Sequence, residues 1–286
     1  MPLTRCLLLA LALCAVAPLH AQEPETPPPA PEPAPPPPPA PAPPPRPEWE
    51  GALGVTASYR PEYSGGNRQV SKLSPALFLR YGRLTITNAS GFVTRRADDV
   101  VRGLGLDMVR SERVRLNVSL RFDRGRSEDT SSALTGLGNI RQTVRVRTSA
   151  SWRLDGPWRL GASWSFDMLG RGGGNLGDIS GAWEQQLAPH STVTLGATLT
   201  AAGDRYLQSY YGISEEQSVR SGYPVYTPKA GARDMSLFAN IRHDLSPEWA
   251  TLAGLSATRL LGPAAASPLT TQRDSWSVNA GIARRF

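Results

Sequence analysis

The stretch "VRLNVSLRF", Val114 to Phe122, puts Val114, Leu116, Val118, Leu120 and Phe122 on one face of an extended chain. Arg115, Asn117, Ser119 and Arg121 fall on the other. Side chains of a strand alternate from face to face, so this is a strand with one apolar and one polar surface. Two environments satisfy it. A soluble sheet would turn the apolar face to a core, and a transmembrane barrel would turn it to lipid around a wet lumen.

The neighbouring segments decide between them. The same alternation recurs from Gly51 to the C-terminus, punctuated by Gly, Asp, Asn, Ser and Pro. It predicts twelve strands, at 51–59, 71–81, 84–93, 101–109, 114–122, 140–152, 158–168, 178–187, 192–201, 235–243, 249–260 and 276–286. The links are more informative than the strands. Gly82-Arg83, "LDGP" (154–157), "APHS" (188–191) and "LSPE" (245–248) are short, and the links between them are longer, the longest spanning Gly203 to Asp234. Short periplasmic turns alternating with long external loops are the plan of an outer-membrane barrel. The predicted fold is therefore an all-β, antiparallel transmembrane barrel of about twelve strands, with both termini periplasmic.

Aromatic residues agree with this map. Trp49, Trp152, Trp158, Trp183 and Trp249, five of seven tryptophans, fall near predicted periplasmic strand ends. Indole is apolar with one N–H donor, which suits it to a membrane interface. Phe286 ends the chain at the close of a period-two strand, the place of the signal read by the barrel-assembly machinery. Arg284 departs from that pattern, since an apolar residue is usual there.

The first 47 residues differ in kind. Arg5 precedes an apolar run from Cys6 to Ala17, followed by a short tail to Ala21, which reads as a cleaved secretory signal over 1–21. Both cysteines, Cys6 and Cys14, leave with it, so no disulfide or thiolate metal site is expected. Residues 22–47 form a linker with sixteen prolines, which favours an extended polyproline spacer on the order of 75 Å long. Residues 48–286 form the barrel domain. The formal net charge of +7 points to anionic partners. For an exported chain these are outer-membrane lipid and lipopolysaccharide rather than nucleic acid.

The polar faces of strands five to seven, with their flanking residues, predict a basic lumen wall of Arg113, Arg115, Arg121, Arg141, Arg145, Arg147, Arg153 and Arg159 against Asp123 and Asp167. An open lumen so lined would prefer anions, whereas a plugged one would pair its arginines with loop carboxylates. Five tyrosines, Tyr206, Tyr210, Tyr211, Tyr223 and Tyr226, crowd the longest loop, where they would either fold it into the mouth, the favoured reading, or form a contact surface. Catalysis is not expected. His190 beside Ser191, with Glu184 nearby, is read as turn chemistry rather than a nucleophile and base. "GRGGGNLGD" (170–178) lacks the Lys-Ser/Thr ending of a phosphate loop and is read as an external loop. No cofactor is predicted.

Three stretches then resemble one family in order along the chain. They are "YRPEYSGG" (59–66), "DRYLQSYYGIS" with "SGYPVYTPKAGARD" (204–214 and 221–234), and the closing "RLLGPAAASPLTTQRDSWSVNAGIARRF" (259–286). They are similar to the MipA/OmpV family, the MltA-interacting outer-membrane proteins. That resemblance implies a scaffold linking a murein lytic transglycosylase to a murein synthase, and brings no catalytic residues with it.

Overall fold

The structure, a computed structural model, describes residues 49–88 and 102–286. The signal segment, the proline-rich linker and residues 89–101, which hold the ends of the expected third and fourth strands, lie outside the described residues.

Twelve antiparallel strands close on themselves. In chain order they are β1 (Trp49–Pro61), β2 (Gln69–Tyr81), β3 (Leu84–Thr87), β4 (Gly103–Arg110), β5 (Val114–Asp123), β6 (Thr143–Arg153), β7 (Trp158–Asp167), β8 (Asn175–Ala188), β9 (Ser191–Ala202), β10 (Gly231–Asp244), β11 (Trp249–Leu260) and β12 (Asp274–Arg285). Each pairs with its sequence neighbours, and β1 pairs with β12 to complete the barrel. Closure gives every strand a neighbour on both sides, as backbone placed in hydrocarbon requires, and among the described residues β3 covers Phe78–Tyr81 of β2.

Some strands run further than the alternation predicts because backbone pairing continues past the last apolar side chain, whereas β6 begins at Thr143, three residues after its expected start. β8 starts at Asn175, and β10 starts four residues before Met235. The links alternate as expected. Those after β2, β4, β6, β8 and β10 are short and share one end with both barrel termini. The longer links at the other end hold three helices, α1 (Asp204–Tyr211), α2 (Glu215–Ser221) and α3 (Gly262–Ala265).

The faces answer the question raised by "VRLNVSLRF". Leu116, Leu120 and Phe122 are exposed, Phe122 to 68%, while Asn117 and Ser119 are buried. The buried set is polar and the exposed set apolar, the inverse of a water-soluble protein. The same inversion holds around the barrel at Leu53, Leu77, Leu160, Ile179, Leu237 and Leu255. The apolar surface faces lipid.

Residues at the short-turn end define one level on that surface. Trp49 and Trp158 open their strands, Trp249 opens β11, and Trp152 is the penultimate residue of β6. Trp183 lies five residues before the end of β8, yet it pairs directly with Trp158 because β8 overhangs β7. At the opposite end Trp276 packs on Tyr59, with ring centroids 5.4 Å apart. Phe286 extends the β1–β12 seam by bonding both ways to Gly51, at 3.1 and 2.9 Å. Arg284 points outward at the short-turn end and pairs with Glu248 at 3.3 Å, beyond the apolar band where a charge is tolerated.

Candidate functional site: an arginine-lined lumen under a tyrosine lid

The interior is built from the inward residues of every strand, and β4 to β8 supply most of its charge. Of the eight arginines expected there, five point inward along strands. Arg113 does not belong to the wall. It sits in the short turn after β4 and pairs with Asp155 of the turn after β6, both strongly exposed. Arg141 lies in the long link before β6, and Arg153 is the exposed last residue of β6. These three miss the wall because period-two counting ran past the ends of the strands.

The five inward arginines are mostly neutralised, and by strand carboxylates rather than by loops. Arg115 grips Asp107 of β4 with two bonds, at 3.0 and 2.7 Å. Arg145 donates to Asp123 of β5 at 2.7 Å. Arg147 reaches Asp178 of β8 at 3.0 Å, and Arg159 pairs with Glu184 of β8. Asp178 also accepts from Ser163, and Asp107 from Asn117 at 2.9 Å. A charge held from bulk water requires such partners, because the desolvation penalty is several kcal/mol per ion. Arg121 is the exception. Among the described residues it has no hydrogen-bond or ion-pair partner, and its charged neighbours are Arg147, Arg102, Asp123 and Arg145.

Sequence reading named Asp123 and Asp167 as the lumen acids and missed Asp107, Asp178 and the pairing role of Glu184. Each of these sits at an inward position one or two strands from an arginine, which period-two reading of adjacent strands could have exposed.

The long-loop end is crossed by α1. Its Tyr206, Leu207, Tyr210 and Tyr211 recur at helical spacing, and Gly203 and Gly212 bound it. Those glycines and the spacing were the overlooked signal for a helix. Partners reach it from all round the mouth. Tyr210 Oη donates to Asp123 on β5 at 3.3 Å, and Arg126, just past β5, donates to the Tyr210 carbonyl at 2.8 Å. Tyr211 Oη shares a 2.8 Å bond with Ser64 of the β1–β2 link, and its carbonyl accepts from Ser267 of the β11–β12 link at 2.6 Å. Arg233 of β10 donates to Tyr206 Oη at 2.9 Å.

Arg145 and Arg233 lie over the Tyr206 ring, each 5.4 Å from its centroid, and Tyr210 stacks on Tyr206 at 4.4 Å. Two cations near one ring hold it electrostatically as well as by packing. Burial raises the Tyr210 phenol above the ordinary range, with Asp123 adding to it. Burial, followed by the neighbouring Tyr206, pushes the Tyr211 phenol up to about 12. Tyr223 and Tyr226 pack with Leu134, Leu137, Ile213 and Leu269 in a second apolar cluster in the long links. The tyrosine-rich link thus folds into the mouth.

On the short-turn side of α1 the lumen retains a cavity of about 540 Å³. Arg121, Arg147 and Asp178 line it towards the long-loop end, and it runs down to Arg159, Glu184 and Arg242. No residue of the three helices lines it.

His190 stays in its turn, Glu184 is committed to Arg159, and Ser191 bonds to Nδ1 of His243 at 2.8 Å. Among the described residues no carboxylate is bonded to that imidazole.

A family model described as MltA-interacting protein MipA matches residues 53–286. The chain belongs to the MipA family. The match covers all but the first four residues of the described barrel, so the family's pattern is the barrel itself. Similar solved structures are also outer-membrane barrels. The NanC porin is 9% identical with a TM-score of 0.44, covering 81% of this chain and 98% of its own. An outer-membrane channel from Pseudomonas putida F1 is 14% identical with a TM-score of 0.41, covering 83% and 95%. No curated protein sequence matches the chain.

Proposed function

We propose that this MipA-family barrel is an outer-membrane scaffold that brings a murein lytic transglycosylase and a murein synthase together. The observation that carries the reading is the family match over residues 53–286, since the family is described by its interaction with MltA. The short-turn end faces the periplasm and offers the docking surface, and lipopolysaccharide contacts the apolar belt on the opposite leaflet. The signal segment directs export, the linker before Trp49 spans towards the cell wall, and Phe286 is read by the assembly machinery.

A scaffold suits this interior better than an anion channel. The lumen arginines are largely paired, and α1 lies across the mouth. The protein works as a binding surface and not as an enzyme. Crosslinked envelopes test this: a tagged chain should recover a lytic transglycosylase, and recovery of the barrel without one would overturn the proposal.

A further inference from the structure

We infer that the lumen cavity is a binding site for a small sugar acid, an anion that also carries hydroxyl groups. The two walls of the cavity differ in chemistry. On the β5–β6 side the Arg121 guanidinium has no partner among the described residues, and Arg147 stands beside it with its charge shared with Asp178. Arg102, just before β4, adds a third cation. The other lining cations are matched, Arg115 by Asp107, Arg159 by Glu184 and Arg242 by Asp244. The uncompensated charge is therefore concentrated around Arg121, in a space where field lines are focused by low-dielectric walls. A carboxylate placed there would accept from a planar guanidinium in fork geometry.

Across the lumen the wall is neutral. Thr194 of β9, Asn240 of β10 and Asn279 of β12 line it, together with Phe238. Gly254 lies between the Asn240 and Asn279 amides, leaving no room for a side chain there. Phe238 lies against Gly196, where a Cβ would collide with the ring, so the ring is laid along the wall as a flat apolar surface. Amides and hydroxyls suit hydroxyl groups, a flat ring suits the C–H face of a pyranose, and the opposite cation suits the acid. A purely inorganic anion would use only one wall. The volume of about 540 Å³ falls within the ordinary range of ligand pockets. With α1 across the far end, such a ligand would enter from the short-turn side.

Calorimetry on the full chain in detergent tests this without any murein partner present, so its outcome is independent of the scaffold proposal. Glucuronate, glucose and sulfate serve as probes. Glucuronate should bind at least tenfold more tightly than either glucose, which lacks the acid, or sulfate, which lacks the hydroxyls. Arg121→Gln should weaken glucuronate at least tenfold and leave glucose unchanged, while Asn240→Ala should weaken both sugars. A heat-modifiable band verifies that each variant is folded. Absence of glucuronate binding at millimolar concentration, equal binding of glucose or sulfate, or unchanged affinity in Arg121→Gln would overturn the inference.

Discussion

The ring of Phe286 lies over Gly51 at the seam where the barrel closes. The two backbones bond in both directions, and a Cβ on Gly51 would collide with the ring. The position of the terminal ring therefore needs a glycine opposite it, and a side chain at 51 would have to displace the aromatic. Gly51→Val should destabilise the folded barrel by about 1–3 kcal/mol, the usual range for overpacking. Its heat-modifiable band should unfold at lower temperature, and Gly51→Val combined with Phe286→Ala should recover part of the loss. A double variant no better than the single would show that the ring is not the obstacle.

A second prediction separates the two faces. Leu120 points outward near the middle of β5, so Leu120→Arg should cost about 2–4 kcal/mol if it lies near the bilayer midplane. Ser149 lines the cavity from the neighbouring β6, and Ser149→Arg should be tolerated because its lumen side is open. Ser119 would be a poor control, since it is 1% exposed and its hydroxyl donates to the Arg147 carbonyl. Denaturant titration of the folded band measures both. Equal losses at Leu120 and Ser149 would contradict the face assignment.

The strands were legible because lipid and lumen enforce a strict alternation, which survives in β5 as "VRLNVSLRF". The turns were legible because Gly82-Arg83 and "LSPE" leave no room for anything else. The ion pairs were not. Whether Arg147 meets Asp178 depends on how strands two apart are staggered, and a bulge between Asp107 and Val109 shifts the register of β4 against β5. Neither is written in the local pattern. The lid was half legible: the tyrosines gave its destination, but the helix needed the spacing of Tyr206, Tyr210 and Tyr211 to be read with period 3.6 inside a β protein.

The lid should depend on Arg145. Its guanidinium pairs with Asp123, donates to the Gly173 and Gly174 carbonyls, and underlies the Tyr206 ring. Arg145→Ala would leave Asp123 without its cation, a change of about 3–5 kcal/mol for a buried pair. α1 should then loosen, and planar bilayers should show larger and more frequent conductance steps than wild type. Tyr206→Ala removes the ring but leaves the Arg145–Asp123 pair in place, and should move conductance the same way. If neither variant conducts more than wild type, α1 is not what limits passage.

Alkali should loosen the lid as well. Tyr211 ionises only at about 12, against roughly 10 for a free phenol. A raised phenol favours the folded state fully below pH 10, and that contribution is lost as the pH climbs from 10 towards 12. Tyrosinate absorbance should therefore show a late phase in this window, reduced in Tyr211→Phe. A wild-type curve complete by pH 10.5 would mean that the phenol is not shielded.

The last prediction concerns the proline-rich segment ahead of the barrel. The closed sheet begins at Trp49, and β1 finds both its partners, β2 and β12, within residues 49–286. Sixteen prolines lacking N–H donors could add no ladder to it. Deleting Glu23 to Arg46 should therefore leave the heat-modifiable band and membrane insertion unchanged. If the segment tethers the barrel to the cell wall, the deletion should lower recovery of the transglycosylase severalfold from crosslinked envelopes. Restoring the length with a Gly/Ser sequence would separate reach from recognition: an extended polyproline chain spans about 3.1 Å per residue, whereas a flexible chain of equal length spans far less on average. Recovery that survives the deletion would assign docking to the short turns of the barrel, and loss of insertion would show that the segment serves assembly instead.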